Sequence, residues 1–232
     1  MWHAKATGGY SRNSDEGQDN VREMALVMIA QGWSIPAIAA MLGNGAGEGG
    51  LNPWRWEGDE VLASTDTYEI DVSQEHGYGL FGFTPAGSYI HDAWAMAQPN
   101  YGPNFSDIPG IPQDGANQMA YFARTVESNF VHEGWLYSYY YDDFQNVGVD
   151  IDDFYWMTFE DFIAGNDTIE NLTGAFELCY EKPNDYAAAV SYQDRVDDAQ
   201  YWLTWLQGQG FGTAHLIMKR KRNRIRKKPL IT

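Results

Sequence analysis

Two helices are predicted near the start of the chain from the spacing of apolar residues. Over residues 21–29 apolar side chains recur every three or four positions, and Gly32 ends the pattern. A second helix is predicted from Ser34, a preferred N-cap residue, to Gly43, since glycine commonly follows the last helical turn. Glu48 would then lie in a glycine-rich turn just beyond the C-terminus of this helix.

More helical segments follow a region without helical periodicity. Residues 54–85 mix polar, aromatic and β-branched residues, which indicates a small, irregular β region. No regular structure is predicted for the tyrosine-rich residues 137–141 or the acidic residues 150–153. Further helices are predicted at 86–98, 119–130, 158–164, 169–181 and 191–207. This order of elements predicts an α+β fold class that is mostly helical.

The chain of 232 residues is acidic, and its charge is unevenly distributed. Residues 1–218 hold seven Lys and Arg against 32 Asp and Glu, whereas residues 219–232 hold eight basic residues and no acidic ones. The acidic body is not expected to be attracted electrostatically to nucleic acid or to an anionic membrane. The basic tail is interpreted as a solvated, flexible end. The alternatives are an assembly anchor, or a segment that binds an acidic partner, nucleic acid or the acidic body itself.

Several classes of protein are excluded by what the sequence lacks. No apolar run is long enough to span a membrane, and the N-terminus lacks the pattern of a signal peptide. The single Cys179 cannot form an intrachain disulfide and is expected to pack as a small hydrophobic residue. The histidines are scattered without metal-ligand spacing, so no metal or other cofactor is predicted. A phosphate-binding loop and a serine nucleophile elbow are also missing from the sequence.

Glu48 is the main candidate for chemistry. It stands in the glycine-rich stretch Gly43–Glu57, which also contains Trp54 and Trp56. A carboxyl group shielded from water suits cleavage of a sugar chain, because desolvation favours the protonated form that a general acid needs. The local sequence alone favours an ordinary surface loop, since glycine-rich turns are common.

A second glycine-aromatic segment, Gly77–Pro85, is the other candidate wall of a binding site. Its glycines would let the backbone approach a ligand closely, and Tyr78 offers both a ring and a hydroxyl group. Taken singly, each aromatic residue here is expected to pack in the core or in the wall of a cleft.

Three separate segments together resemble the phage tail-tip lysozyme family, a branch of the lysozyme-like superfamily. They are Trp2–Lys5 with Gly8–Ser14, Met41–Asn44 with Glu48–Trp56, and Gly77–Leu80 with Phe83–Ala86. A weaker fourth match joins Leu172–Pro183 with Arg195. No single segment is specific, but the combination covers nearly all of the chain except the basic tail.

The resemblance implies a lysozyme-like fold in which Glu48 is the general acid at the end of a helix, beside the cleft. It would protonate the glycosidic oxygen between N-acetylmuramic acid and N-acetylglucosamine. The residues expected to contact the sugar are Trp54, Trp56, Tyr78, Gly79 and Phe81. The family usually has Ser in place of Gly49 and Gln in place of Gly82. Loss of that amide is expected to weaken activity or to alter the placement of the substrate.

The partner of Glu48 is left open. Inverting glycosidases hold two carboxyl groups roughly 6.5–9.5 Å apart, and retaining enzymes hold them about 5 Å apart. Glu57 is one possible second carboxylate, and Asp66, Glu69 and Asp71 in the β region are the others. A transglycosylase would need none of them, because the acetamido group of the substrate can assist.

The sequence and the resemblance together predict a peptidoglycan glycosidase carried at the tail tip of a phage virion and acting on the host cell wall. Residues 1–210 would form the lysozyme-like domain and residues 211–232 the basic tail. The expected partners are bacterial peptidoglycan and other phage tail proteins. The alternatives are a lytic transglycosylase on the same bond and a catalytically weak structural plug of the tail tip. An endopeptidase or amidase is disfavoured by the missing zinc or Cys–His set.

Overall fold

The computed structural model describes residues 1–5, 8–56, 77–102, 112–183 and 185–211. Its helices are α1 (Asp15–Gln31), α2 (Ile35–Glu48), α3 (Gly87–Ile90), α4 (Ala93–Met96), α5 (Asp114–Asn129), α6 (Gly134–Asn146), α7 (Phe159–Ala164), α8 (Ile169–Phe176) and α9 (Asp185–Gly208). A short 3-10 helix covers Ile151–Asp153, and a π-helical turn, Glu177–Glu181, continues α8. Among the residues described, no helix combines the length and apolarity needed to cross a bilayer.

The mostly helical fold class is confirmed, but the small β region is not. The described part of that region contains isolated antiparallel bridges, one between Trp56 and Tyr78 and one between Tyr78 and Phe83. Residues 57–76, which make up most of the predicted region, lie outside the described residues. The predicted basic tail also lies outside them from residue 212 onward, so the predicted domain boundary stays a prediction.

The predicted end of α2 at Gly43 is wrong. The helix continues through Gly43 to Glu48, so Glu48 is its last residue and not part of a loop. A Cβ on Gly43 would lie 2.5 Å from the backbone oxygen of Arg195 and 2.8 Å from the Cβ of Ala199. Gly43 therefore allows α9 to approach closely, and glycine at this position reflects packing instead of helix termination.

Two other segments differ from the sequence-based expectation. The tyrosine-rich stretch lies in α6, where Leu136, Tyr140 and Phe144 are buried at a spacing of four residues. The single helix predicted over 86–98 is divided into α3 and α4, because Asp92 is extended and caps α4 by accepting a hydrogen bond from the amide of Ala95. The helices predicted near 21–29, 119–130, 158–164 and 169–181 are confirmed as α1, α5, α7 and α8 with its π-helical turn.

The chain divides into two compact units. Unit 1 holds residues 1–27 and 44–128, and unit 2 holds residues 28–43 with the described residues from 129 onward. The core of unit 2 contains many aromatic rings. Trp33 meets Phe162 edge-on with centroids 5.4 Å apart, and Phe162 packs on Phe176 at 5.6 Å. Such pairs add to the stabilisation that burial of their large apolar surfaces supplies.

In unit 1 the N-terminal segment is fastened to the turn that follows α2. The side-chain amide of Asn52 donates to the carbonyl groups of Lys5 and Gly8, each at 2.9 Å. The amide of Asn20, on α1, donates to the carbonyl of Leu51 at 2.8 Å. Both asparagines are fully buried, so these bonds pair side-chain amides that water cannot reach. They fix the chain immediately after Glu48.

Candidate functional site

Glu48 lines a small pocket in unit 1. It occupies the last turn of α2 and is half-buried. The pocket has a volume of about 50 Å³, and its other described lining residues are Arg55, Gly77, Gly79, Gly82 and Thr84. The end of α2 thus meets the two glycine-aromatic segments that the sequence identified as candidate walls.

Residues 77–84 form a tight turn beside Glu48. Tyr78 and Phe83 exchange two backbone hydrogen bonds of 3.2 and 2.9 Å, and the amide of Gly82 donates to the carbonyl of Gly79 at 3.2 Å. Gly79 has φ +85° and Gly82 has φ +53°, in the left-handed region that favours glycine. The two glycines therefore allow the chain to reverse direction at the pocket.

The residue after Glu48 is in very close contact with this turn. A Cβ on Gly49 would lie 2.1 Å from the carbonyl oxygen of Gly79 and 2.2 Å from that of Leu80. The serine that the family resemblance implied at position 49 therefore does not fit without a shift of the backbone. A Cβ on Gly82 would lie 3.7 Å from Oε2 of Glu48, which is ordinary contact. A side chain at position 82 would therefore contact the carboxyl group.

The aromatic residues predicted to contact sugar lie behind the pocket wall. Trp54, Trp56, Tyr78 and Phe81 are each at most 6% exposed. Trp54 and Trp56 pack against the ring of Tyr78, with centroids 6.1 and 4.8 Å away, and Phe81 stacks on Phe122 at 4.2 Å. Of the predicted contacts, only the backbone position Gly79 joins Glu48 among the described lining residues. Sugar binding by the rings stays a prediction, and in the structure they support the wall.

Arg55 is a pocket residue that the sequence analysis did not single out. It stands between Trp54 and Trp56, which are both buried, while Arg55 is half-buried and lines the pocket. The backbone carbonyl of Arg55 also accepts a 2.8 Å hydrogen bond from the amide of Gly79. The available signal was the charged residue between two tryptophans, since a charged side chain is seldom buried without a partner.

The second carboxylate has no structural test. All four candidates lie outside the described residues, namely Glu57, Asp66, Glu69 and Asp71. Their assignment stays a prediction.

Asp114, a buried carboxylate on α5, stands behind the turn and was also missed. Its Oδ1 accepts hydrogen bonds from the Tyr89 hydroxyl at 2.6 Å and the Gly102 amide at 2.8 Å. Its Oδ2 accepts from the Tyr78 hydroxyl at 3.2 Å and from Nε2 of Gln118 at 2.8 Å. Burial raises the pKa of Asp114, although these hydrogen bonds oppose the shift. Burial, followed by the nearby Asp114 charge, raises the pKa of Tyr78 well above its ordinary value.

Gln118 connects Asp114 to the pocket wall. Its Oε1 accepts from the amide of Leu80 at 2.9 Å, and its Nε2 donates to the carbonyl of Pro53 at 2.7 Å as well as to Asp114. The signal for this pair was its spacing, because Asp114 and Gln118 precede the buried Phe122 by eight and four residues on one helix face. Polar residues on an otherwise apolar face commonly hold a buried polar group elsewhere.

Comparison with known proteins places these features in a family. A family model described as phage tail lysozyme matches residues 19–206, which include Glu48 and both walls of the pocket. The chain is also similar to Morphogenesis protein 1 of Bacillus phage B103, with 26% identity over 207 residues. That match covers 87% of this chain and 44% of the relative. The chain therefore spans less than half the length of this relative.

Proposed function

The chain belongs to the phage tail lysozyme family, and we propose that it is a peptidoglycan glycosidase with Glu48 as its general acid. The bond would be the β-1,4 linkage between N-acetylmuramic acid and N-acetylglucosamine. One observation carries this proposal. Glu48 ends α2 and lines a pocket together with Gly82, where a Cβ would lie 3.7 Å from its carboxyl oxygen.

In the proposed reaction Glu48 gives a proton to the glycosidic oxygen as the bond to the sugar breaks. Gly82 carries no side chain beside Glu48, where a Cβ would lie 3.7 Å from Oε2, so this wall leaves the carboxyl group accessible to the substrate. Arg55 brings a positive charge to the same pocket. That charge would attract the carboxylates of the peptide attached to muramic acid.

The fate of the sugar after bond cleavage defines an alternative within the same proposal. A second carboxylate would lead to hydrolysis, with geometry that sets inversion or retention. Assistance by the acetamido group of the substrate, followed by attack of the C6 hydroxyl of muramic acid on C1 with transfer of its proton to the Glu48 carboxylate, would give an anhydro product, as in a lytic transglycosylase. Both outcomes use Glu48 as the proton donor.

We place the activity at the tail tip of a phage virion, where cleavage of wall glycan would let the tail reach the membrane. The family description, phage tail lysozyme, supports a place on the phage tail, and the phage origin of the relative supports a virion protein. A non-enzymatic module that plugs the tail tip is the competing function. Gly82 favours it, because the family's usual Gln would place an amide beside Glu48 and this chain has none at that position.

Turbidity clearing of purified Gram-positive cell walls tests the proposal. The wild type is expected to clear the walls, and Glu48→Gln to be slower by about 100-fold or more, the contribution typical of a general acid. Glu127→Gln is the matched control, because Glu127 is an exposed residue of α5 in the same unit. Intact walls after prolonged incubation with the wild type would favour the structural plug. Equal clearing by Glu48→Gln would remove Glu48 from the reaction.

A further inference from the structure

Gln118 joins the two chain segments that face Glu48 across the pocket. Its side chain is fully buried and bonds to Leu80 in the turn and to Pro53 in the segment leading to Arg55. We propose that Gln118 is a positioning residue, which sets the distance between the pocket wall and the carboxyl group of Glu48. This inference rests on the proposed glycosidase function.

A single peptide group transmits the effect. The peptide between Gly79 and Leu80 is planar, so its N–H and C=O groups point in opposite directions. The N–H donates to Oε1 of Gln118. The C=O oxygen lies 2.1 Å from the position that a Cβ on Gly49 would take. The peptide is therefore held between Gln118 and the residue directly after Glu48, and movement of one side displaces the other.

Gly79 shows how closely Gln118 approaches the turn. A Cβ on Gly79 would lie 2.3 Å from Oε1 and 2.8 Å from Cδ of Gln118. The turn therefore cannot shift toward α5, and Gly49 limits its shift toward α2. Because Gln118 on one side and Gly49 on the other are in close contact with the turn, its backbone is held in one position.

Asp114 fixes the orientation of the Gln118 amide. The NH2 group faces two acceptors, Oδ2 of Asp114 and the carbonyl of Pro53, while the amide oxygen faces the N–H of Leu80. A flipped amide would oppose donor to donor and acceptor to acceptor at all three contacts. Because the site is buried, water cannot replace the lost bonds. The carboxylate thus selects the orientation that holds the turn.

Gln118→Met tests the role, since methionine has similar length and forms none of the three hydrogen bonds. We expect kcat on a soluble peptidoglycan-derived tetrasaccharide to fall by about 100-fold, the loss typical of a displacement of about 1 Å. KM is expected to change by less than about threefold, because the wall contributes to the transition state more than to ground-state binding. Near-UV circular dichroism and thermal unfolding would establish that the variant is folded.

Asn117→Leu is the matched control. Asn117 is the preceding residue of α5, is also buried, and donates through its side-chain amide to the carbonyl of Pro99 at 2.6 Å. Pro99 is not among the described lining residues of the pocket. Loss of this bond is expected to lower the thermal stability as Gln118→Met does, while kcat stays at the wild-type value. If Gln118→Met does not fold, Gln118→Asn is measured in its place. It keeps the amide but is too short to reach both Leu80 and Pro53, so the same loss of kcat is expected.

The outcomes separate the two proposals. A wild type without activity on wall glycan defeats the proposed function, and the role of Gln118 with it. The positioning role alone is overturned if the wild type is active, Glu48→Gln is inactive, and Gln118→Met is folded with the wild-type kcat. An equal loss of kcat in Asn117→Leu and Gln118→Met also overturns the positioning role, since the loss of activity would then result from reduced stability.

Discussion

Gly49 and Gly79 are in such close contact that a β-carbon on Gly49 would stand 2.1 Å from the carbonyl oxygen of Gly79. Gly49 directly follows Glu48, and Gly79 belongs to the turn on the opposite side of the pocket. Their contact sets how closely the wall approaches the carboxyl group. It also gives a physical reason for glycine at a position where the family resemblance implied serine.

Gly49→Ser is expected to destabilise the protein by about 2–3 kcal/mol, because both clashing atoms belong to the backbone and cannot rotate away. Unfolding in urea, followed by circular dichroism, measures the change. Gly208→Ser is the control, since a Cβ at Gly208 meets no atom within 4 Å. It should change the free energy of unfolding by less than about 0.5 kcal/mol. Equal effects of the two substitutions would mean that the contact at Gly49 is not tight.

Asp114→Asn should alter how stability depends on pH. The pKa of Asp114 is raised in the folded state from its ordinary value of 3.8. The folded protein therefore holds this proton more tightly, and the stabilisation from protonation is present at low pH and is lost as pH rises through the folded pKa. The unfolding free energy of the wild type minus that of Asp114→Asn should therefore fall from acidic to neutral pH. A difference that grows with pH would contradict the raised pKa.

Cys179 should resist alkylation in the folded protein. It is fully buried, its Sγ donates to the carbonyl of Tyr155 at 3.4 Å, and burial raises the pKa of its thiol to about 12. Since the thiolate is the reacting form, modification by iodoacetamide at pH 8 should be slow until urea unfolds the chain. Mass spectrometry follows the added mass. Modification at the same rate with and without urea would contradict the burial of Cys179.

Arg195→Met should be strongly destabilising. Nε of Arg195 lies 3.0 Å from Oε1 of Glu177, and the two side chains are 7% and 0% exposed. Removing one partner of a buried ion pair costs about 3–5 kcal/mol, because the remaining charge is left in the interior. The control is Arg124→Met, which breaks the more exposed pair with Asp92 and should cost about 0–1 kcal/mol. Thermal and urea unfolding measure both, and similar losses would show that burial of the first pair does not matter.

Elements whose residues follow one simple period could be predicted from the sequence. The apolar spacing predicted α1 and α5. The helices predicted at 158–164 and 169–181 are α7 and α8, and the structure adds their caps, since Thr158 and Thr168 accept hydrogen bonds from the amides of Asp161 and Asn171. Glu48 was also identified from the sequence as the candidate acid, and the structure places it in a pocket. The local rules were sufficient where local geometry decides the outcome.

Features that depend on distant parts of the chain were not predicted. Gly43 was interpreted as a helix end because sequence does not show that Arg195 and Ala199 pack against it. Taken singly, the rings of Trp54, Trp56 and Tyr78 were expected to pack in the core or in a cleft wall, but nothing local reveals that Trp54 and Trp56 pack on Tyr78. Which side of a ring is solvent-exposed is decided by tertiary packing, so composition alone could not settle it.

The most direct test of Glu48 as the acid of a glycosidase is mass spectrometry of the fragments that the protein releases from purified Gram-positive cell walls. The wild type is expected to release saccharides cut between N-acetylmuramic acid and N-acetylglucosamine. Reducing ends would identify a lysozyme and anhydromuramyl ends a transglycosylase. Glu48→Gln should release about 100-fold less or none, as expected for loss of a general acid. Fragments cut only in the peptide, or equal glycan release by Glu48→Gln, would contradict the assignment of Glu48 as the acid of a glycosidase.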